Sequence, residues 1–315
     1  MIPLSADNRT PHDPRYIRAL FDRNARIYDR LNPILSMGML ERWRGELLEM
    51  VSPTAGARVL DAFSGPGGLG LHALRRVGPS GEIIFADLSP EMLREARRRV
   101  RGYAGRRGAE RRLPPTSFRL VYLLDWEAVR DLGPFDIVLA GWALRYTPDP
   151  VRTIALLYSL LREDGSLGLL EFTGRAANQE ASLWEWASRT YFRHLLPPLA
   201  SLLGGDPELS RYLVTSTDQA PSSSELATMV CSAGLHVSKS SSHFGGLLTL
   251  VVGQAASHEQ ASPSRAREGF QIVHLPKVWA DGGFRGIRSQ CRSKGHTCGK
   301  ATLLAVRAGQ ELIDV

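Results

Sequence analysis

The stretch VLDAFSGPGGLGL, residues 59–71, decides how the rest of the chain is interpreted. A short apolar strand runs directly into a glycine-rich turn, and the apolar residues after the turn return at helical spacing. Gly65, Gly67 and Gly70 spell G-x-G-x-x-G, a pattern that lets a backbone approach a ligand closely at the start of a helix. The stretch therefore predicts a bound nucleotide-like molecule at the end of the first strand.

Strands and helices alternate on either side of this turn. The predicted strands are 57–63, 81–87, 117–123, 134–141, 166–172, 235–244 and 245–253, and the predicted helices are 14–29, 40–51, 68–77, 90–100 (N-cap Ser89), 150–162, 179–196, 207–213 and 223–233. Alternation of this kind is typical of a doubly wound α/β fold. The last two strands follow each other too closely for a parallel crossover, so they must pair antiparallel. We predict a mostly parallel, Rossmann-like sheet of seven strands with a C-terminal antiparallel hairpin.

Three segments are predicted from the change in composition along the chain. Residues 1–55 form an N-terminal helical segment next to the substrate, residues 56–253 carry the α/β domain, and residues 254–315 are a linker and a poorly packed tail. Within the tail, LPKVWADGGFRG (275–286) resembles the segment around one catalytic aspartate of DDE-type transposases. Partner carboxylates for that chemistry do not accompany it, so we interpret the tail as a fused gene fragment.

Composition narrows the classes of function. Of the 315 residues, 43% are hydrophobic and 23% charged, the balance of a soluble globular protein. The N-terminus lacks an apolar signal region, and three cysteines suit a reducing compartment, so a cytoplasmic location is expected. The net charge of +7 is a weak indication of nucleic-acid binding, and we predict no such partner. The eight histidines show no metal-ligand spacing, and no metal is predicted.

Two carboxylates indicate which nucleotide the turn holds. Asp87 ends the second strand, where a carboxylate can accept hydrogen bonds from both ribose hydroxyls. NAD and S-adenosyl-L-methionine (AdoMet) share that ribose, so Asp87 does not separate them. Asp61, just before the turn, would repel a pyrophosphate and attract a sulfonium or an ammonium group. The residues favour AdoMet, and a nicotinamide-dependent oxidoreductase remains the alternative.

Five ordered motifs resemble those of the ubiquinone/menaquinone biosynthesis C-methyltransferases. They are LFDRNARIYDRLNPILSMGMLERWR (20–44), VLDAFSGPGGL (59–69), ADLSPEMLREAR (86–97), FDIVLAGWALRYTPD (135–149) and LLREDGSLGLLEF (160–172). In the first motif the matching positions are Phe21, Ala25, Tyr28, Asp29, Asn32, Ser36, Gly38, Trp43 and Arg44. The similarity spans about residues 15–253 and implies the class I methyltransferase fold.

The resemblance implies a reaction and a set of site residues. A ring carbon of a quinol, such as demethylmenaquinol or a ubiquinol precursor, would attack the methyl group of AdoMet. The methionine and ribose parts of AdoMet would be lined by Asp61, Gly65, Pro66, Gly67, Asp87 and Met92. The adenine would contact Asp125 and Trp126, and the sulfonium would lie beside Gly141. Arg145 would lie near the quinol oxygens, and Tyr28 would orient the ring or its water. Arg145 and Tyr28 are therefore the predicted catalytic residues.

The chain departs from the pattern of that family at five places. Pro66 stands where Thr is frequent, Gly68 where Asp is common, Leu40 where His occurs, Tyr146 where Asn follows the arginine, and Asp164-Gly165 where Pro-Gly-Gly is usual. These changes keep two alternatives open: methylation of another small aromatic or polyketide-like molecule, and an inactive AdoMet-binding protein. A bulky apolar stretch between Trp184 and Leu196 indicates either a helix packed on the core or a lid over the ring that contacts the membrane surface peripherally. A homodimer is a further expectation.

Overall fold

The computed structural model describes residues 12–36, 38–107, 113–174, 186–187, 190–202, 204–218 and 220–255, which all belong to one compact unit ending at Ala255. The strands are β1 (Arg58–Ala62), β2 (Glu82–Asp87), β3 (Thr116–Leu120), β4 (Phe135–Gly141), β5 (Leu161–Phe172), β6 (Leu235–His243) and β7 (Leu248–Ala255). The helices are α1 (Pro14–Leu35), α2 (Leu40–Val51), α3 (Gly68–Val77), α4 (Pro90–Arg107), α5 (Trp126–Val129), α6 (Pro150–Ser159), α7 (Leu196–Leu202), α8 (Pro207–Asp218) and α9 (Ser223–Ser232).

Across the described residues, seven strands form one sheet in the order β3-β2-β1-β4-β5-β7-β6. The pairs from β3 to β5 are parallel. Strand β7 pairs antiparallel with both β5 and β6, so the hairpin inserts its second strand between them. The predicted fold class, a mostly parallel seven-stranded sheet with an antiparallel C-terminal hairpin, is confirmed.

Alternate residues of the central strands enter two different cores, one on each face of the sheet. Val59 and Phe85 belong to a cluster covered by α2, α3 and α4. Leu60 and Ile84 belong to a cluster on the opposite face, which α6 and α9 cover. Because side chains alternate across a strand, helices on both faces need strands that are apolar at nearly every position. The runs RVLDA and EIIFAD meet this need.

Helix α1 runs to Leu35 and not to residue 29 as predicted. The local sequence at Asn32 and Pro33 indicates the end of a helix. The carbonyl of Asn32 nevertheless accepts the backbone N–H of Ser36 at 3.0 Å and closes another helical turn. The helix packs against α4, α7 and α8. Tertiary packing thus extends the helix past its local stop signal.

Several other predicted boundaries are wrong for reasons of strand pairing. Strand β3 ends at Leu120 and not at 123, because its partner β2 ends at Asp87. Strand β5 begins at Leu161, which pairs with Phe135 across a register shift, and this ends helix α6 at Ser159 instead of 162. The hairpin turn Phe244–Gly246 also moves the start of β7 from 245 to Leu248.

Part of the predicted helix 179–196 lies outside the described residues. Its predicted end at the two prolines is wrong, because a π-helical turn at Tyr191–Leu195 runs directly into α7, which contains Pro197 and Pro198. Within the described ranges, the helices are too short or too polar to cross a bilayer. The predicted tail also lies outside the described residues, except that β7 continues to Ala255.

Candidate active site

Three neighbouring parallel strands end at the same edge of the sheet. Asp61 lies next to the end of β1, Asp87 is the last residue of β2, and Gly141 is the last residue of β4. Asp61 is in register with Phe85 on one side and Leu139 on the other. In open α/β sheets, ligands bind outside the carboxyl ends of the strands. The fold therefore brings the predicted residues from three separate motifs to one place.

The glycine turn between β1 and α3 depends on Gly67. This residue has φ +80°, in the left-handed region, and forms the N-cap of α3. A Cβ atom there would lie 3.0 Å from the ring of Phe85 and 3.1 Å from the side chain of Ala96. Both the backbone conformation and the packing beneath the turn require a glycine.

Asp87 is placed by backbone donors on both sides. One carboxylate oxygen accepts the N–H of Gly65 and the other that of Ser89, each at 2.8 Å. Each oxygen keeps a lone pair for a further donor, which matches a ribose diol. Burial raises the pKa of Asp87 to about 6, against the lowering effect of these hydrogen bonds. The Ser89 hydroxyl accepts the N–H of Met92, so the predicted N-cap is confirmed.

Asp61 supports the same turn from inside the sheet. Its side chain is buried, and one carboxylate oxygen accepts the N–H of Gly70 at 2.8 Å. Burial raises the pKa of Asp61 to about 7, and the nearby Arg44 guanidinium lowers it in part. A cationic ligand beside Asp61 would favour its ionised form, because an opposite charge stabilises the carboxylate.

Two adjoining hollows form what we name the central cleft. The Asp87 hollow is lined by Phe21, Tyr28, Asp87, Met92, Leu123 and Tyr146, among others. The Asp61 hollow is lined by Arg44, Asp61, Ser64, Pro66, Gly68 and Leu69, among others. Tyr28, Phe63, Gly65, Gly141 and Trp142 line both hollows. They contain about 710 Å³ and 390 Å³ of atom-free space, some of it open to solvent.

The central cleft fits AdoMet on the chemistry of its walls. Asp87 offers acceptors for the ribose hydroxyls, and the apolar side chains of Leu88 and Leu123 offer faces for the adenine. The Asp61 hollow holds a buried carboxyl group for the positively charged part of the ligand. The hydroxyl of Ser64 is buried there without a hydrogen-bond partner in the described part of the chain, so it is available to a polar ligand.

The structure brings together most, but not all, of the predicted cofactor residues. The central cleft is lined by the predicted cofactor residues Asp61, Gly65, Pro66, Asp87, Met92 and Gly141. The predicted catalytic residue Tyr28 also lines it. Gly67 belongs to the turn but does not line the cleft. Asp125 and Trp126 follow the lining residue Leu124, with Asp125 exposed and Trp126 packed against the core. The adenine roles of these last two residues stay predictions.

Arg145 faces a different cavity, which we name the Arg145 cleft. Its lining includes Arg145, Pro148, Glu171, Phe172, Tyr212 and Thr215. The Arg145 guanidinium lies 4.7 Å from the ring centroid of Phe172 and 5.4 Å from that of Tyr146. Its Nε is buried without a hydrogen-bond partner among the described residues. Thr147 lines both the Arg145 cleft and the Asp87 hollow, so the two cavities adjoin there.

Glu171, near the end of β5, holds the short turn that carries Arg145 and Tyr146. One carboxylate oxygen accepts the N–H groups of Ala143 at 2.7 Å and Leu144 at 3.0 Å. The side chain is buried, and this burial raises the pKa of Glu171 to about 7. Glu171 therefore orients the turn without itself lining the central cleft.

We predict that Glu171→Gln flattens the pH dependence of stability. A carboxyl group whose pKa is higher in the folded state stabilises the fold below its unfolded pKa, and this contribution is lost as the pH rises through about 7. The free energy of unfolding, measured by urea titration, should fall between pH 5 and pH 8 in the unmodified protein and fall less in the variant. Burial also raises the pKa values of Asp61 and Asp87, so some of the fall persists.

The exposed Glu163 provides the matched control. Glu163→Gln should keep the full difference in unfolding free energy between the two pH values. An equal pH dependence in Glu171→Gln and the unmodified protein would contradict the prediction.

Several lining residues of the central cleft were not predicted as site residues, among them Phe63, Trp142, Tyr146, Arg44 and Ser64. Phe63 and Trp142 directly follow β1 and β4 and have φ of +52° and +53°, which is rare for aromatic residues. Tyr146 was noticed only as a departure from a pattern, yet its hydroxyl is buried without a partner in the described ranges. The only available signal for Phe63 and Trp142 was their position one residue after a strand end.

A doubly wound sheet with an antiparallel C-terminal hairpin, and a cleft that suits a sulfonium nucleoside, together define a class I AdoMet-dependent methyltransferase. The comparison of the sequence with known families agrees. The chain belongs to the ubiE/COQ5 methyltransferase family, whose family model matches residues 9–255. The predicted resemblance, the enzyme class and AdoMet as the cofactor are thereby confirmed, and the nicotinamide alternative is not supported.

Two curated relatives illustrate the similarity. The demethylmenaquinone methyltransferase of Lactobacillus johnsonii is 31% identical over 237 residues, covering 73% of this chain and 88% of its own. The demethylmenaquinone methyltransferase of Thermus thermophilus is 31% identical over 218 residues, which cover 69% of this chain and 92% of the relative. A solved structure of a "possible exported protein" from Bordetella parapertussis superimposes with a TM-score of 0.51 at 15% identity, covering 70% of this chain and 68% of that one. The last similarity concerns the fold alone.

Proposed function

We propose that this protein transfers the methyl group of AdoMet to a ring carbon of a quinol of the demethylmenaquinol type. The names of its relatives support this acceptor. The observation that carries the proposal is an aromatic wall in the Asp87 hollow. The ring centroid of Phe21 lies 5.8 Å from that of Tyr28 and 5.1 Å from that of Tyr146, edge to face in both pairs. A flat aromatic acceptor can pack against such a wall.

When bound, AdoMet supplies a methyl group that its sulfonium already activates. The chain then has to exclude water and hold the attacking carbon in line, and positioning of this kind can supply much of a rate enhancement. Tyr28 is only 9% exposed and lines both hollows, which supports a role for this residue in orienting a ring hydroxyl of the acceptor. Burial raises the pKa of Tyr146, so its hydroxyl stays protonated and can donate a hydrogen bond to an acceptor oxygen.

Arg145 is proposed to stabilise negative charge on the acceptor oxygen. We place the acceptor at the junction near Thr147, because there the Asp87 hollow adjoins the cavity that contains the guanidinium. One guanidinium nitrogen donates to Thr217 at 3.2 Å, which holds the group in that cavity. Loss of a ring-hydroxyl proton leaves a phenolate, and a fixed cation nearby lowers the free energy of that charge.

We expect Arg145→Ala to reduce turnover and leave cofactor binding unchanged. The variant should lose kcat by roughly 100-fold, the usual effect of removing one group that stabilises developing charge. The measurement is transfer of a labelled methyl group, together with the Kd for S-adenosylhomocysteine by calorimetry. Arg152→Ala, at an exposed position of α6, is the matched control and should keep full activity. Full activity in Arg145→Ala would exclude the role proposed for Arg145.

The acceptor itself is tested with methyl-labelled AdoMet and a demethylmenaquinol analogue with a short side chain. Label on a ring carbon of the analogue supports the proposal. Binding of S-adenosylhomocysteine without label transfer to any quinol would contradict it and favour an inactive binding protein. Label transfer to another small aromatic molecule but to no quinol would assign a different acceptor.

The proposal includes a setting for the reaction. We propose a cytoplasmic protein that touches the membrane peripherally, since a prenylated quinol resides in the bilayer. In support, Trp186, Leu195 and Leu202 expose more than half of their surface. A homodimer and the lack of a nucleic-acid partner stay predictions from the sequence.

A further inference from the structure

A buried arginine lies at the end of the central cleft that the proposed acceptor does not occupy. Arg44, on α2, is only 4% exposed and lines the Asp61 hollow. Its guanidinium packs against the start of α3. A Cβ atom at Gly68 would lie 2.6 Å from Nε of Arg44 and closer still to Cζ and Nη2. The guanidinium therefore occupies the volume that a side chain at position 68 would fill.

The orientation of this guanidinium is set from outside the cleft. Its Nη1 forms an ion pair with Glu41 at 2.6 Å, and Glu41 also contacts the ring of His72 at 2.7 Å. The hydrogen bond from His72 is the largest of several effects that lower the pKa of Glu41 to about 2, so the carboxylate is charged at neutral pH. Nη1 is thus held toward the rim, while Nε and Nη2 lie on the side of Gly68.

The walls of the Asp61 hollow carry groups of opposite charge. Arg44 supplies a cation, Asp61 supplies a carboxyl group, and Ser64 supplies a hydroxyl without a hydrogen-bond partner in the described part of the chain. The amino-acid end of AdoMet is a zwitterion with one carboxylate and one ammonium group. A buried charge is stable only when it is paired, so a zwitterion satisfies a hollow of this kind better than either charge alone.

We propose that Arg44 binds the carboxylate at the amino-acid end of AdoMet, with the Ser64 hydroxyl as a second donor and Asp61 toward the ammonium group. The inference rests on the AdoMet cofactor and is independent of the methyl acceptor. A guanidinium pairs with a carboxylate through charge-assisted hydrogen bonds, which are stronger than neutral ones. The glycine at position 68 makes room for this arrangement.

Two ligands that differ at the amino-acid end test the proposal. S-Adenosylhomocysteine carries the carboxylate and the ammonium group, whereas 5′-methylthioadenosine lacks both. We expect Arg44→Gln to raise the Kd for S-adenosylhomocysteine by about 10- to 100-fold, the effect of losing a hydrogen bond to a charged group. The Kd for 5′-methylthioadenosine should not change. AdoMet that lacks only its carboxyl group should also bind the variant and the unmodified protein equally.

Two further variants keep the test decisive. Arg58→Gln removes a charge near the opposite end of β1, where Arg58 pairs with Glu82, and should leave all Kd values unchanged. Ser64→Ala removes only a hydroxyl group. It should weaken the binding of S-adenosylhomocysteine a few-fold and leave the binding of 5′-methylthioadenosine unchanged. This comparison tests the proposal even if Arg44→Gln does not fold.

If Arg44→Gln lost the same affinity for the ligands with the carboxylate as for those without it, the inference would be overturned and Arg44 would have a purely structural role. An unchanged Kd for S-adenosylhomocysteine in Arg44→Gln would also overturn it. Failure of the unmodified protein to bind S-adenosylhomocysteine would instead overturn the cofactor assignment itself, and this inference with it. Lack of methyl transfer to a quinol, with these Kd differences intact, would affect only the proposed acceptor.

Discussion

Asp87→Ala should weaken the binding of S-adenosylhomocysteine by roughly 100- to 1,000-fold, because two hydrogen bonds from ribose hydroxyls to a charged acceptor are lost together. The carboxylate is already positioned by the N–H groups of Gly65 and Ser89, so it is ready for the ribose before the ligand arrives. Calorimetric titration with S-adenosylhomocysteine gives the Kd directly. An unchanged Kd would show that Asp87 does not hold the ribose.

Two comparisons separate binding from folding. Asp131→Ala removes a carboxylate that is 91% exposed and should bind the ligand normally. Asp87→Asn keeps an acceptor oxygen for only one of the two backbone N–H groups and loses the charge, so we expect a smaller loss of affinity than in Asp87→Ala and a modestly lower melting temperature. Since the pKa of Asp87 is raised to about 6, affinity in the unmodified protein should also increase as the pH rises through that value.

Gly70→Ala should destabilise the fold by about 3 kcal/mol, at the upper end of the usual cost of overpacking a core. The new Cβ would lie 2.8 Å from Cζ of Phe85 and 2.9 Å from a carboxylate oxygen of Asp61. Phe85 is fully buried and stacked on Phe118 at 5.0 Å, so its ring has no space to move away. The overlap also displaces the carboxylate that accepts the N–H of Gly70.

Gly45→Ala is the matched control for this change. Both glycines lie in helices, but a Cβ at Gly45 would meet nothing within 4 Å. Replacing an unhindered helical glycine by alanine usually stabilises a protein by about 0.5–1 kcal/mol. Urea unfolding should therefore show changes of opposite sign for the two variants. Equal unfolding free energies for Gly70→Ala and the unmodified protein would contradict the packing argument.

The positions of Asp61 and Asp87 could be predicted because they depend on strand ends. Asp61 and Asp87 each lie at the close of an apolar run, and alternating strands and helices require a parallel sheet whose carboxyl ends share an edge. The structure confirms this arrangement and also shows which groups donate hydrogen bonds to the two carboxylates, which the sequence pattern does not reveal. The donors to these carboxylates are backbone N–H groups. Gly65 and Ser89 lie in the turns that follow β1 and β2, and Gly70 lies in the first turn of α3.

The surroundings of Arg145 could not be predicted in the same way. The motif places Arg145 after β4, but the direction of its side chain depends on the turn Leu144–Tyr146. Glu171 holds that turn from β5, 27 residues further along the chain from Leu144. As a result Arg145 enters a separate cavity, and Tyr146 reaches the central cleft.

The sequence by itself determined the order of the elements, the antiparallel hairpin and the carboxylates at the strand ends, because periodicity, turn residues and connection lengths act over short stretches of chain. Only the tertiary structure decided that Arg44 joins Asp61 in one hollow and that Arg145 lies outside the central cleft. The physical reason is that the neighbours of a side chain are set by how distant elements pack. Helix α2, which carries Arg44, precedes the first strand and meets α3 only in the folded protein.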